Sequence, residues 1–280
     1  MTKRTRMTKG EVEQLEYQVY DILAEDHPQS IRHVFYRLTD PRLPISVEKS
    51  EAGYRQVQIR LTKMRRADEI PYGWISDSTR RGYRTYTYDG AADFIRRVAG
   101  LYRHSLWENQ PSTVEVWVES RSLAGVLEDD CEDLAVNLYP CGGFASITLA
   151  HEAAEEINAR DKPAVIIYVG DYDPAGVLID VSLEQELRQH LDVPLEFTRL
   201  AITEQQIKDH DLPTKPRKAK DRRSQHVLHT VEAEAMPAAD MRRMVRQAVE
   251  AYLPAQALNI AKLAEAEERR TLLKMAAAAE

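Results

Sequence analysis

The chain has 280 residues, 43% hydrophobic and 30% charged, the balance of a globular protein with one large or two modest domains rather than a disordered or fibrous chain. Its longest apolar run, Ala164-Val-Ile-Ile-Tyr-Val169, is far short of the roughly 20 residues that a membrane-crossing helix needs, so no membrane partner is expected. The net charge of −7 is unevenly spread: residues 1–110 hold 19 Lys+Arg against 15 Asp+Glu, and the remainder 19 against 30. A mildly basic front and an acidic back suit a part that grips a polyanion followed by a carboxylate-rich part, although ordinary surface charge reads the same way. The basic start, Met1-Thr-Lys-Arg-Thr-Arg6, has no apolar stretch behind it, and Cys131 and Cys141 form no CxxC pair. Both features predict a chain of the reducing cytoplasm.

Val12, Leu15, Val19, Ile22 and Leu23 repeat with a helical period and predict a helix over 10–25, ended at His27-Pro28. Ser30 is placed to cap a second helix over 31–39. Tyr54, Val57, Leu61 and Met64 mark the buried stripe of a third, from about Glu51 to Arg66, which turns Arg55, Lys63 and Arg66 outward. Pro71-Tyr-Gly73 is a turn. Trp74-Ile75 and Tyr83–Tyr88 then read as short strands around a polar tip that carries Arg80 and Arg81. Three helices followed by a β-hairpin is the order of a winged helix, in which the third helix and the wing meet DNA. The bland alternative is a solvated basic face. A helix over 91–110 is expected to link this unit to the next.

The pattern changes near Asn109-Gln-Pro-Ser112, which divides the chain into 1–110 and 111–280. Strands are predicted at 113–118, 134–139, 164–170 and 197–201, with helices from near Ser122, over 146–160 and from about Pro174 to His190 between them. Such alternation specifies an α/β class with a parallel sheet. Asp211–Gln225 reads as a loop whose basic run includes Lys218 and Arg222, either solvated or in contact with phosphate. Helices fill 237–280, broken at Pro254.

The segment Gly170-Asp171-Tyr-Asp173-Pro-Ala-Gly176 follows the most apolar strand. Residues i and i+2 in extended chain point to one side, so Asp171 and Asp173 face one point beyond the strand end. Glu119 ends an earlier strand and reaches the same crevice, the place where open α/β sheets bind ligands. Three converging carboxylates repel one another unless a cation neutralises them, and an oxygen-only donor set selects Mg²⁺ or Mn²⁺. The competing reading of a DxD is a helix cap or a turn. Gly142 and Gly143 are expected to form a tight turn beside the site.

With these residues in place, the second half resembles the Toprim domain shared by topoisomerases, primases and OLD-type nucleases, through Val118-Glu119-Ser and Asp171-Tyr-Asp173. Over about residues 10–255 the chain looks similar to the A subunit of type IIB topoisomerase (topoisomerase VI) and its meiotic break-forming relatives, above all the small stand-alone Mini-A-like members found on phages and plasmids. Those proteins place a winged helix before a Toprim domain. Their nucleophile motif, Arg-[Asp/Glu]-[Ile/Leu]-[Phe/Tyr]-Tyr, corresponds to Arg32-His-Val-Phe-Tyr36, with His33 at the acidic position.

The resemblance implies that Tyr36 attacks a phosphodiester of double-stranded DNA to leave a 5′-phosphotyrosyl link. It also implies a homodimer in which each tyrosine serves the partner's Toprim site. A free phenol has a pKa of about 10 and needs help to lose its proton. Arg32, one helical turn earlier, is placed to stabilise the developing charge. Glu232, in Val231-Glu-Ala-Glu-Ala-Met-Pro237, resembles a late segment of the family and is either a further ligand or a surface residue. No GxxxxGK[ST] motif is present, so strand passage would need a separate ATPase subunit. Two other functions fit the same residues: a hydrolytic Toprim nuclease with Glu119 as general base or ligand, and a non-catalytic DNA-binding subunit.

Overall fold

A computed structural model describes residues 7–76, 85–217 and 223–279. The protein is mixed α/β, with a four-stranded parallel sheet and ten α-helices among the described residues. None of those helices is long and apolar enough to cross a membrane.

Three helices open the chain: α1 (Lys9–Glu25), α2 (Ile31–Leu38) and α3 (Glu51–Arg66). Side-chain caps start each of them. Thr8 and Glu11 form a capping box on α1, Ser30 accepts from the His33 amide at the head of α2, and Ser50 accepts from the Gly53 amide on α3. Their apolar stripes close on one core that includes Leu15, Val19, Val34, Leu38, Val57 and Leu61. Arg55, Lys63 and Arg66 face solvent on α3, as the stripe required.

The hairpin expected after α3 is not what the described residues form. Tyr72–Trp74 is a turn of 3₁₀ helix, and Ile75 makes only an isolated parallel bridge to Gln29. Residues 85–88 carry no strand. Arg80, Arg81, Lys218 and Arg222 lie outside the described residues. The linking helix is also shorter than expected: α4 (Ala91–Ala99) stops at Gly100.

The sheet contains β1 (Thr113–Val118), β2 (Asn137–Pro140), β3 (Ala164–Val169) and β4 (Leu195–Ala201), all parallel, in the order β2-β1-β3-β4. Between them run α5 (Arg121–Asp133), α6 (Ile147–Asn158) and α7 (Gly176–His190). β2 starts later than its apolar run, because Ala135 takes a left-handed φ of 53° as the chain leaves α5. β1 and β3 are buried along their whole length, as the two central strands of a sheet covered on both faces must be.

The period of two sorts the side chains by face. Val114, Val116, Val118, Val165, Ile167 and Val169 share a core with residues of α5 and of α9 (Ala238–Glu250). Trp117, Ile166 and Tyr168 pack with α6 and α7 on the other face. Short α8 (Glu204–Asp209) follows β4, and β5 (Lys215–Pro216) pairs antiparallel with β6 (His229–Thr230). The final helix α10 (Ala257–Ala278) packs along α4.

Several contacts join the helical unit to the second half. Arg242 of α9 pairs with Asp26 and donates to the Pro28 carbonyl at 3.0 Å. Residues 233–235 lie against α2, with Ala235 packed on the first core.

Candidate active site

In the order β2-β1-β3-β4 the connections leave β1 toward one edge of the parallel sheet and continue from β3 toward the other, which opens a crevice at the carboxyl ends of β1 and β3. Glu119 sits there, its amide donating to the Val169 carbonyl at 2.9 Å. One Glu119 oxygen accepts from the Asp171 amide at 2.9 Å. Asp171 Oδ1 accepts from the Ala233 amide at 2.8 Å. Asp173 Oδ1 accepts from the amides of Ala175 and Gly176 at 2.8 and 2.6 Å, so it holds the turn that leads into α7. One oxygen of each carboxylate holds backbone, and the other makes no hydrogen bond among the described residues.

Burial, then Glu119 and Glu234, push the Asp171 carboxyl well above the usual carboxylate range. Burial, then Asp173 and Glu234, raise Glu119 as well, against the opposing Asp171 amide. Glu234 is 2% exposed and accepts from Ser120 Oγ at 3.0 Å and Ser122 Oγ at 2.5 Å. Among the described residues, no group of three or more Asp, Glu, His or Cys side chains is placed to hold a metal ion, so Glu119, Asp171 and Asp173 do not converge as a ready-made three-carboxylate site. The donor chemistry of two of them still fits a hard cation: Glu119 and Asp171, raised by burial first and by neighbouring carboxylates second, each keep an oxygen to spare, which suits an ion that keeps most of its water.

Glycine is required twice at this corner. A Cβ on Gly170 would lie 2.8 Å from Glu119 Oε2, and one on Gly176 would lie 2.2 Å from the Asp171 carbonyl. Gly142 and Gly143, at φ 69° and 100°, turn the chain so that both amides donate to the Glu119 carbonyl, at 2.9 and 3.3 Å. That is the expected tight turn. Arg199 of β4 holds the DxD loop from below: it donates to the carbonyls of Asp171 and Gly170 and pairs with Asp180 at 2.7 Å.

A cleft of about 710 Å³ runs from Asp171 and Asp173 to Arg32 and Tyr36, with Lys49 and Glu232 also on its wall. Tyr36 thus shares a cleft with Asp171 and Asp173 of its own chain, where the resemblance implied the partner's; Glu119 is not among the residues that line it. Tyr36 is 6% exposed. Lys215 Nζ donates to its hydroxyl at 3.5 Å, and Lys49 Nζ lies 5.4 Å from its ring centroid. Arg32 shares the face but takes Glu232 as its ionic partner, with its guanidinium 5.8 Å from the Tyr54 centroid. Burial, then Glu232, raise the Tyr36 pKa, and Arg32 only opposes this. The phenol keeps its proton in this arrangement. His33, the departure from the acidic position, is 1% exposed, and burial lowers its pKa to about 4, so it is a neutral core imidazole.

Glu234, Lys49 and Arg199 escape the sequence reading, whereas Lys215 entered it as part of the basic loop Asp211–Gln225. Arg199 had a visible signal, a charge inside the strand pattern Phe197–Ala201. Lys49 had none. Burial, then Lys215, lower its pKa to about 8.

No known family model and no curated protein matches the chain.

Proposed function

We propose that the chain is a Mg²⁺-dependent (or Mn²⁺-dependent) DNA-cleaving protein of the topoisomerase VI A type, with a winged-helix-like unit ahead of a Toprim-like one. The observation that carries this reading is the shared cleft: Arg32 and Tyr36 on one wall, Asp171 and Asp173 on the other. Glu119 and Asp171 would hold the cation through their spare oxygens, with Asp173 Oδ2 beside them. When bound, such an ion neutralises phosphate charge and polarises the phosphorus.

Tyr36 is the proposed nucleophile. Its Oη–phosphorus bond forms, the P–O3′ bond breaks, and the phenol proton ends on the departing 3′ oxygen. Arg32 and Lys215 stabilise the charge on the phosphate and on the phenolate oxygen. The solvent-facing Arg55, Lys63 and Arg66 fit contacts to the duplex backbone. The homodimer remains part of the proposal, as does a separate ATPase subunit for any strand passage.

A hydrolytic nuclease is the second reading, and the raised Tyr36 pKa favours it. In that case water attacks and Tyr36 only lines the cleft. The test is incubation with supercoiled DNA and Mg²⁺, followed by denaturation. DNA covalently attached to wild-type protein, and absent with Tyr36→Phe, supports the transesterase. Cleavage undiminished in Tyr36→Phe rejects it for hydrolysis.

A further inference from the structure

The Glu232 carboxylate is held by the groups that a phosphate would use. One oxygen pairs with Arg32, the other receives Lys215 Nζ at 3.2 Å, and the Tyr36 hydroxyl lies beside the same group. All four side chains line the cleft. They are not sealed in: side-chain exposure is 46% for Arg32, 44% for Lys215 and 28% for Glu232.

The backbone under Glu232 is fixed independently of its side chain. Val231 and Tyr172 exchange both amide–carbonyl hydrogen bonds, at 2.8 and 2.9 Å, and the Ala233 amide is bound by Asp171. The Glu232 side chain can therefore swing away while the DxD loop stays in place. Lys49 and Arg223 also line the cleft, so four cations face four carboxylates there: Glu51, Asp171, Asp173 and Glu232. Moving Glu232 aside leaves its cationic lobe, next to Tyr36, in excess.

We infer that Arg32, Lys215 and the Tyr36 hydroxyl form a seat for one phosphodiester group, and that Glu232 is its built-in resting occupant, displaced when nucleic acid enters. The inference rests on the cleft being the DNA site, but not on Tyr36 being the nucleophile. Glu232 then acts as a competitor that any bound backbone must outbid, and it favours ligands anchored elsewhere along the cleft over isolated anions.

The test is binding without cleavage. A short fluorescent duplex is titrated with the full chain in EDTA, and anisotropy is read across a salt series. Glu232→Gln keeps the shape and removes the charge, and should bind about two- to fivefold tighter, as expected for releasing exposed cations from an ion pair. Its log-affinity against log-salt slope should steepen by about one phosphate contact. Lys215→Met should bind about threefold more weakly, and in the double variant most of the gain should vanish.

Equal or weaker binding by both Glu232→Gln and Glu232→Ala, with wild-type melting temperatures, overturns the seat. Inorganic phosphate, followed by thermal shift, separates this from failure of the DNA reading. If no variant binds duplex but phosphate stabilises Glu232→Gln and not wild type, the seat stands and the DNA assignment falls. If neither probe responds to Glu232→Gln, the seat falls.

Discussion

Replacing Glu115 by glutamine tests how this sheet handles a charge at its centre. Glu115 lies on β1 with no exposed surface, four residues before Glu119, and does not reach the crevice. Trp117 Nε1 and Asn137 Nδ2 donate to it at 3.2 Å, and Arg160 lies 3.4 Å away. Burial outweighs these donors and pushes its pKa up to about 7 from an ordinary 4.5. The folded chain therefore keeps a proton that the unfolded chain releases between these values. Stability falls as pH rises from about 4.5 to about 7, and the loss is complete above it. The shift corresponds to roughly 3 kcal/mol. Glu115→Gln carries no such dependence. Thermal or urea unfolding of both proteins from pH 4.5 to 8.5 should show similar stability at the acid end. At the alkaline end the glutamine variant should lead by about 2–3 kcal/mol, less whatever the Arg160 contact returns. A difference between the two that does not change with pH would refute the reasoning.

The crevice yields two further outcomes. Asp171→Asn keeps the oxygen that accepts from Ala233 but removes the charge that faces Glu119 and Glu234. In EDTA at neutral pH it should be more stable than wild type by about 0.5–2 kcal/mol in urea unfolding, the usual relief at a strained site; a less stable variant would count against mutual repulsion there. Gly176→Ala places a methyl group 2.2 Å from the Asp171 carbonyl, so it should cost about 1–3 kcal/mol and abolish cleavage with either divalent ion. Wild-type stability and activity in that variant would show that the DxD corner is looser than drawn.

Much of the frame was legible because it is local. Ser30 announces the helix that begins at the next residue, and the period of Val57, Leu61 and Met64 fixes the buried face of α3. The unbroken apolar run before Asp171 marks a central strand, and a carboxylate at such a strand end is bound to face the crevice. What stayed hidden depends on contacts across long stretches of chain. Ser122 and Glu234 are 112 residues apart, and Tyr36 and Lys215 are 179 apart. No local pattern connects them, so neither the Glu234 buttress nor the cationic lobe at Tyr36 could be read in advance. Trp74-Ile75 failed for a different reason. Its aromatic and β-branched residues favour extended chain, but the Pro71-Tyr-Gly73 turn carries on through Trp74 as a 3₁₀ turn. Arg32 shows how a spacing can be right and its use incomplete: it shares the cleft with Tyr36, yet its charge is taken by Glu232.

The central claim is that the carboxylates between β1 and β3 hold a divalent cation beside a nucleic-acid phosphate. Titration of Mn²⁺ into the full chain, with free ion read by electron paramagnetic resonance, tests it most directly. Wild-type protein should remove about one equivalent of free Mn²⁺, more tightly with a short DNA duplex present, and Mg²⁺ should compete it off. Asp171→Asn and Glu119→Gln should each weaken this binding at least about tenfold. If the wild type leaves Mn²⁺ free with and without DNA, or if both variants bind it as the wild type does, the account is contradicted.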